Sequence, residues 1–291
     1  MIYMEKTHIL ILLDSDSQAS VFDQVVAIDA GVQHQLVYHD VKPEQVESIV
    51  HGAIFTRSPN ELKNTAIFIG GSDVLVGEQL LAGIRAVIKR AGLSVSVMLD
   101  SNGSNTTAAA AVRAAVRHMD VSTGHALVLG GTGPVGQRAS LLLARIGAHV
   151  RIGSRQVQRA EAVCHSIRQK LPHAKVEAVS TTTSSDGPKA LEGRNLLIAA
   201  GAAGAVLLPK HIRTGCPSLR VAIDLNAVPP VGIEGIDVFD KGVVRDNTVC
   251  YGAIGIGGTK MKIHRAAVAQ LFTRNDLILD AEEIYDLSLQ L

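Results

Sequence analysis

The chain has 291 residues, enough for two ordinary domains, and 47% of them are hydrophobic, so a substantial core can form. Aromatic residues make up only 3% and tryptophan is absent, so that core is aliphatic, as suits buried parallel strands flanked by helices. Twenty-eight Lys and Arg against 27 Asp and Glu leave a formal charge of +1, which argues against nucleic-acid or anionic-membrane binding through a concentrated basic face.

The N-terminal apolar run is too short for a membrane span and has no small-residue cleavage site behind it, so a cytoplasmic protein is expected. Within that run "HILILLD" (8–14) reads as a buried strand. "TAIFIGG" (65–71) is a second strand. "EQLLAGIRAVIKRAG" follows as a helix with Leu80, Leu81, Ile84, Val87 and Ile88 on one face. "SVSVMLD" (94–100) is a third strand and runs into "SNGSNTTAAAAVRAAV", where Ser, Asn and Thr satisfy a helix N-terminus and Ala propagates it.

A second series opens near residue 123. "HALVLGG" is a strand, "GPVGQRASLLLARIG" a helix, "AHVRIGS" a strand and "QVQRAEAVCHSIRQKL" a helix. "KVEAVS", "NLLIAAG" and "LRVAIDLN" are further strands. Helical segments from Lys260 onward and over 281–291 close the chain. This alternation predicts an α/β fold with mostly parallel sheets in two domains. Residues 1–120, completed by 260–291, form an α/β substrate domain, and residues 121–259 form a Rossmann-type dinucleotide domain, with the boundary at 117–125.

The strongest motif is "LVLGGTGPVG", where Gly131-x-Gly133-x-x-Gly136 follows a strand and opens a helix. The first glycine is expected to allow the tight turn, the second the approach of a pyrophosphate, and the third close helix–strand packing. Thr132, Pro134 and Val135 complete the loop, and the helix N-terminus offers N–H groups to the anion. The next strand ends in Ser154 and Arg155, with Arg159 one turn later and no carboxylate at the tip. A guanidinium fork suits a 2′-phosphate, so NADP is favoured over NAD. Gly201, in "IAAGAAG", and Asn226, in "DLNAVPP", follow later strands. They are candidates for the sugar and the carboxamide of the cofactor, or are plain turn residues.

In "YGAIGIGGTKMKIHR" (251–265), Lys260 follows two glycines at an expected helix start, where the helix dipole disfavours a cation unless a ligand compensates. Three scattered cysteines without C-x-x-C, and eleven histidines without H-E-x-x-H, predict no disulfide framework and no metal site.

"LDSNGSNTTAAA", "GGTGPVGQR", "NAVPPVGIEGIDVFDKG" and "GAIGIGGTKMKIHR" together resemble the NADP-dependent methylenetetrahydromethanopterin dehydrogenases of methylotrophic bacteria. "SVFDQVVAIDAG", "FTRSPNELKNTAIFIGG" and "DAEEIYDLS" are similar too, so the resemblance spans nearly the whole chain in order. It implies hydride transfer from N5,N10-methylene-tetrahydromethanopterin to NADP⁺, with methylene-tetrahydrofolate accepted by some members. It also implies two α/β domains with a cleft between them, and a trimer or hexamer. By motif position, Thr107 and Lys260 match the family's Thr and Lys at the pterin site. Asp100 and Asn102 lie in a matching segment and are candidate substrate contacts, although capping of the following helix is the favoured role for Asp100. Phe22 and Asp23 are further candidates. Two other functions compete: an NADP-dependent dehydrogenase of another small substrate, of the shikimate dehydrogenase type, and a non-catalytic NADP-binding sensor.

Overall fold

The computed structural model describes residues 6–183 and 185–291; residues 1–5, on which the expected lack of a leader partly rests, lie outside it. In chain order, β1 (Ile9–Leu13), α1 (Val21–Asp29), β2 (His34–Tyr38), α2 (Val46–Ile54), β3 (Thr65–Ile69), α3 (Val74–Ala91) and β4 (Ser96–Leu99) come first. Then follow α4 (Ser104–Val116), β5 (His125–Leu129), α5 (Pro134–Ile146), β6 (His149–Ser154), α6 (Val157–Lys170), β7 (Val176–Ser180) and α7 (Asp186–Leu191). The remainder is β8 (Leu196–Ala199), α8 (Lys210–Thr214), β9 (Val221–Asp224), β10 (Lys241–Arg245), β11 (Thr248–Tyr251), α9 (Ala253–Gln270), β12 (Ile278–Leu279) and α10 (Ala281–Ser288).

The chain divides into two compact units, Met1–Thr106 with Met261–Leu291, and Thr107–Lys260. The first crossing falls in the opening turn of α4, ahead of the expected 120/121 boundary, so the alanine-rich helix from Thr107 on groups with the second unit. The other crossing lies within α9, next to the expected 259/260 boundary.

The first unit holds a five-stranded parallel sheet in the order β12-β4-β3-β1-β2. Its inner strands are aliphatic and buried on both faces, as a parallel sheet covered by helices requires. Ile11, Leu13, Ile67 and Ile69 pack against Leu80, Ile84 and Val50 in one core. Each such side chain contributes about 1.5–3 kcal/mol by leaving water. The second unit holds a seven-stranded sheet, β10-β11-β9-β8-β5-β6-β7, parallel except for the β10–β11 hairpin. Leu127, Leu129, Leu197, Leu208 and Ile233 centre its core.

One expected element starts earlier than its sequence suggests. The helix placed from Lys260 onward begins at Ala253, so its glycines lie inside the first turns and Lys260 stands well within it. The helix dipole therefore does not bear on Lys260, because it acts only over the terminal turns. Among the described residues, no helix is long and apolar enough to cross a membrane.

Candidate functional site

In the second unit β5 lies between β6 and β8, so the chain leaves β5 in one direction along the sheet and later returns on the other side. At such a switch point the loops after the two strands open a crevice at the carboxyl edge. Here those loops are residues 130–133 and the segment after Ala199. The tight turn falls on Gly130 rather than Gly131: Gly130 has φ +67°, and a Cβ there would lie 2.5 Å from the Cα of Gly201. Gly131 instead packs beside Ile152, and its N–H donates to the Gly153 carbonyl at 3.0 Å. Gly136 sits against the Gly130 carbonyl, where a Cβ would come within 2.5 Å, which is the helix–strand packing expected of it.

Gly133 differs from these. Its φ is −77°, and a Cβ would meet only the carbonyls of Gly130 and Ala200, at 3.4 and 3.6 Å, ordinary contact distances. Nothing in the protein demands glycine there, whereas a pyrophosphate lying on the backbone would. Gly133 is also the N-cap of α5 and supplies no capping side chain, with Pro134 at the first helical position and Val135 next. Thr132 is held by its carbonyl, which accepts from Gln137 Nε2 at 2.8 Å. An uncapped helix start behind a half-buried loop fits a bound dinucleotide phosphate.

Ser154 ends β6 and is buried, and its Oγ accepts from the Gln156 N–H at 3.1 Å, so its hydroxyl shapes the turn. Arg155 and Arg159 are exposed beyond it. Thr182 Oγ1 donates to the Arg155 carbonyl at 2.8 Å, and in that neighbouring loop the Asp186 carboxylate accepts from the Thr182 and Thr183 N–H groups and the Ser180 hydroxyl. Those bonds, led by the one from Thr183, hold its pKa down at about 2. At Gly201 a Cβ would come within 2.5 Å of Leu207 Cδ1, the end of a flexible side chain that can give way. Asn226 shapes its own turn. Its Nδ2 donates to the Pro230 carbonyl at 3.1 Å and its Oδ1 accepts from Val228 N at 3.0 Å, so its own loop engages both ends of the amide.

In the first unit β1 lies between β2 and β3, a second switch point. The buried Asp14 accepts from the N–H groups of Asp16 and Ser20, both at 2.9 Å, while Asp16 takes the N–H and hydroxyl of Ser72 and so ties the loops after β1 and β3 together. Ser20 caps α1, placing Phe22 and Asp23 in its first turn, where the helix dipole favours a carboxylate. Asp100 ends β4. Its Oδ1 accepts from the N–H groups of Asn105 and Thr106 at 2.9 and 3.0 Å, and its Oδ2 from Thr106 Oγ1 at 2.6 Å. At 2% exposure, it spends these oxygens on capping α4. Asn102 is exposed at φ +55°, a left-handed position that asparagine tolerates, and its N–H donates to the Gly71 carbonyl.

Sequence reasoning did not single out His264. This histidine, 1% exposed, lies flat on Phe68 (centroids 5.5 Å apart, planes 13° apart) and tilted to Phe22 at 6.1 Å. Its Nε2 is 3.9 Å from Asp23 Oδ1 and its Nδ1 is 4.0 Å from Asp100 Oδ2. The signal that could have found it is its spacing: four residues after Lys260, His264 shares that residue's face of α9. The first unit thus gathers Phe22, Asp23, Asp100 and His264 at one sheet edge. Thr107 and Lys260, both half-buried, group with the second unit.

Comparison with known proteins adds an independent line. The family description "Methylene-tetrahydromethanopterin dehydrogenase, N-terminal" matches residues 21–102. A bifunctional protein, MdtA, of Methylorubrum extorquens is 42% identical over 96% of this chain and 97% of its own length. An NAD(P)-dependent methylenetetrahydromethanopterin dehydrogenase of the same organism is 29% identical over 97% of this chain and 98% of its own. Among solved structures, a shikimate 5-dehydrogenase from Listeria monocytogenes superposes with a TM-score of 0.52 at 13% identity, covering 97% of this chain and 96% of that one, a likeness of fold.

Proposed function

The chain belongs to the methylene-tetrahydromethanopterin dehydrogenase family, whose enzymes are NAD(P)-dependent, and on that premise we propose that it oxidises N5,N10-methylene-tetrahydromethanopterin with NADP⁺, methylene-tetrahydrofolate being a second carrier. The observation that carries the reading is Gly133, a glycine the protein does not need for itself at the start of an uncapped helix. The reading includes a homo-oligomer, trimer or hexamer, in the cytoplasm.

Oxidation breaks one C–H bond of the methylene carbon, and both electrons leave with the hydrogen. The lone pairs of the flanking nitrogens then share the positive charge that remains. No proton is released, so no general base is required, and the protein's work is positioning and charge stabilisation. NADP⁺ supplies the hydride acceptor. Residues 132–135 and the start of α5 hold its pyrophosphate, and Arg155 with Arg159 clasp the 2′-phosphate. On the pterin side Phe22 offers a ring face beside His264, and Asp23 offers a carboxylate to the developing cation. Thr107 orients the pterin through its hydroxyl. Lys260 belongs on a pterin oxygen remote from the reacting carbon, because an ammonium beside that carbon would oppose the charge that forms.

The test follows NADPH absorbance with the two methylene carriers in parallel. Turnover of either supports the reading. A protein that binds NADP and turns over neither is the sensor, and the reading falls. Arg155→Ala is expected to lower the NADP-to-NAD ratio of kcat/KM about tenfold, the equivalent of ~1.4 kcal/mol. An unchanged ratio would remove Arg155 from the cofactor site.

A further inference from the structure

The segment 237–240 has no part in the site described so far. By strand register it lies at the same sheet edge as the glycine loop. Leu129 pairs with Ala199, Ala199 with Asp224, Ile223 with Tyr251, and Tyr251 with Lys241, the residue that follows the segment. Three strand spacings, roughly 14 Å, separate β5 from β11 along that edge.

This short loop is fastened at almost every backbone position. The Asp237 N–H donates to Asp240 Oδ2 and the Phe239 N–H to Asp237 Oδ1, both at 2.9 Å. The Val238 carbonyl accepts from Ile254 and Gly255, and the Asp240 carbonyl from Gly252. Asp240 is itself clamped by Arg245 through two bonds of 2.6 and 2.7 Å. Gly252 and Gly255 are glycine for this loop's sake, since a Cβ on either would collide with the carbonyl of Asp237 or of Asp240.

What the loop presents is Phe239, 69% exposed, one of only five phenylalanines in the chain. A ring held on so fixed a backbone is preorganised to meet a ligand. Val206, Val228 and Ile254 are also exposed, in the segments that follow β8, β9 and β11 respectively.

The substrate's chemistry indicates what the ring meets. In both methylene carriers the reacting carbon bridges a pterin nitrogen and an arylamine nitrogen. The arene therefore follows the reacting carbon wherever the cofactor loops fix it. We propose that Phe239 is the stacking surface for the arylamine ring of the carrier, with Val228 and Ile254 beside it. The assignment rests on the function proposed above. It makes Phe239 a determinant of carrier affinity and not of hydride transfer itself.

The experiment compares wild type with Phe239→Ala, Phe239→Leu and Phe239→Tyr at saturating NADP. Phe239→Ala is expected to raise KM for methylene-tetrahydrofolate three- to tenfold, about what a stacked aromatic pair supplies, with the loss on KM and not on kcat. Phe239→Tyr should restore KM and Phe239→Leu should not. A wild-type KM in Phe239→Ala, or full recovery with Phe239→Leu, overturns the proposal. So does a change of assembly mass in Phe239→Ala, which would assign the ring to a contact between copies. Saturation-transfer NMR with 4-aminobenzoyl-glutamate tests the ring contact without turnover. A signal in wild type that is lost in Phe239→Ala supports the proposal even if neither carrier is oxidised, and no difference between the two proteins overturns it.

Discussion

Four glycines fall within seven residues between Gly130 and Gly136, and they are not equivalent. At Gly130 a side chain would have to adopt φ +67° and meet the backbone of Gly201, so Gly130→Ala should lower stability by more than about 2 kcal/mol. At Gly133 the backbone is ordinary and a Cβ would make only van der Waals contacts within the protein. Gly133→Ala should therefore leave thermal stability within about 0.5 kcal/mol of wild type while weakening NADP binding tenfold or more. Thermal melts and an NADP titration on the two variants separate fold from site. Undiminished NADP affinity in Gly133→Ala would make the loop a phosphate-free turn. From sequence the G-x-G-x-x-G spacing located the loop, but it assigned the sharp turn one residue late. The preceding Gly130 becomes decisive only once Gly201, from the loop after β8 far along the chain, is set against it.

At the scale of elements, α4 depends on one buried carboxylate. Asp100→Ala would leave the N–H groups of Asn105 and Thr106 buried without their acceptor, a loss of about 2 kcal/mol, visible as a lower Tm with NADP binding retained. A Tm within a degree of wild type would show that the cap is dispensable. The legible elements were those whose burial is written locally. β1, β3, β4, β5, β8 and β9 are aliphatic runs, and α3 carries a clean apolar face. β2 escaped because "HQLVY" is an exposed edge strand with neither an apolar run nor strict alternation. The first turns of α9 escaped because Gly255, Gly257 and Gly258 read as a loop. Gly255 is required by the Asp240 carbonyl, a contact that adjacency in sequence does not reveal. His264 escaped for a similar reason, since Phe68 and Asp100 approach it only through the fold.

For the molecule as a whole, acid stability carries a signature from the start of β5. Burial pushes the His125 imidazole below its ordinary 6.5, with Arg194 and the neighbouring His149 ring adding to the effect. A histidine that resists protonation when folded takes up its proton more readily when unfolded. Its penalty is absent well above pH 6.5 and grows as pH falls below it, until the folded form is also protonated. Tm should therefore drop more steeply between pH 6.5 and 5 in wild type than in His125→Gln, and parallel curves would rule the residue out as a contributor.

The division of the chain also has a consequence for its synthesis. The second unit is one uninterrupted stretch, Thr107–Lys260, whereas the first is assembled from two pieces. β12 must add beside β4, with Ser96 Oγ donating to the Arg274 carbonyl and Asn105 Nδ2 to Asp280, before that sheet is complete. On the ribosome the usual order is therefore inverted. Residues 1–106 emerge first yet finish last, holding an open β4 edge until 261–291 arrive, while the uninterrupted second unit can already be folded.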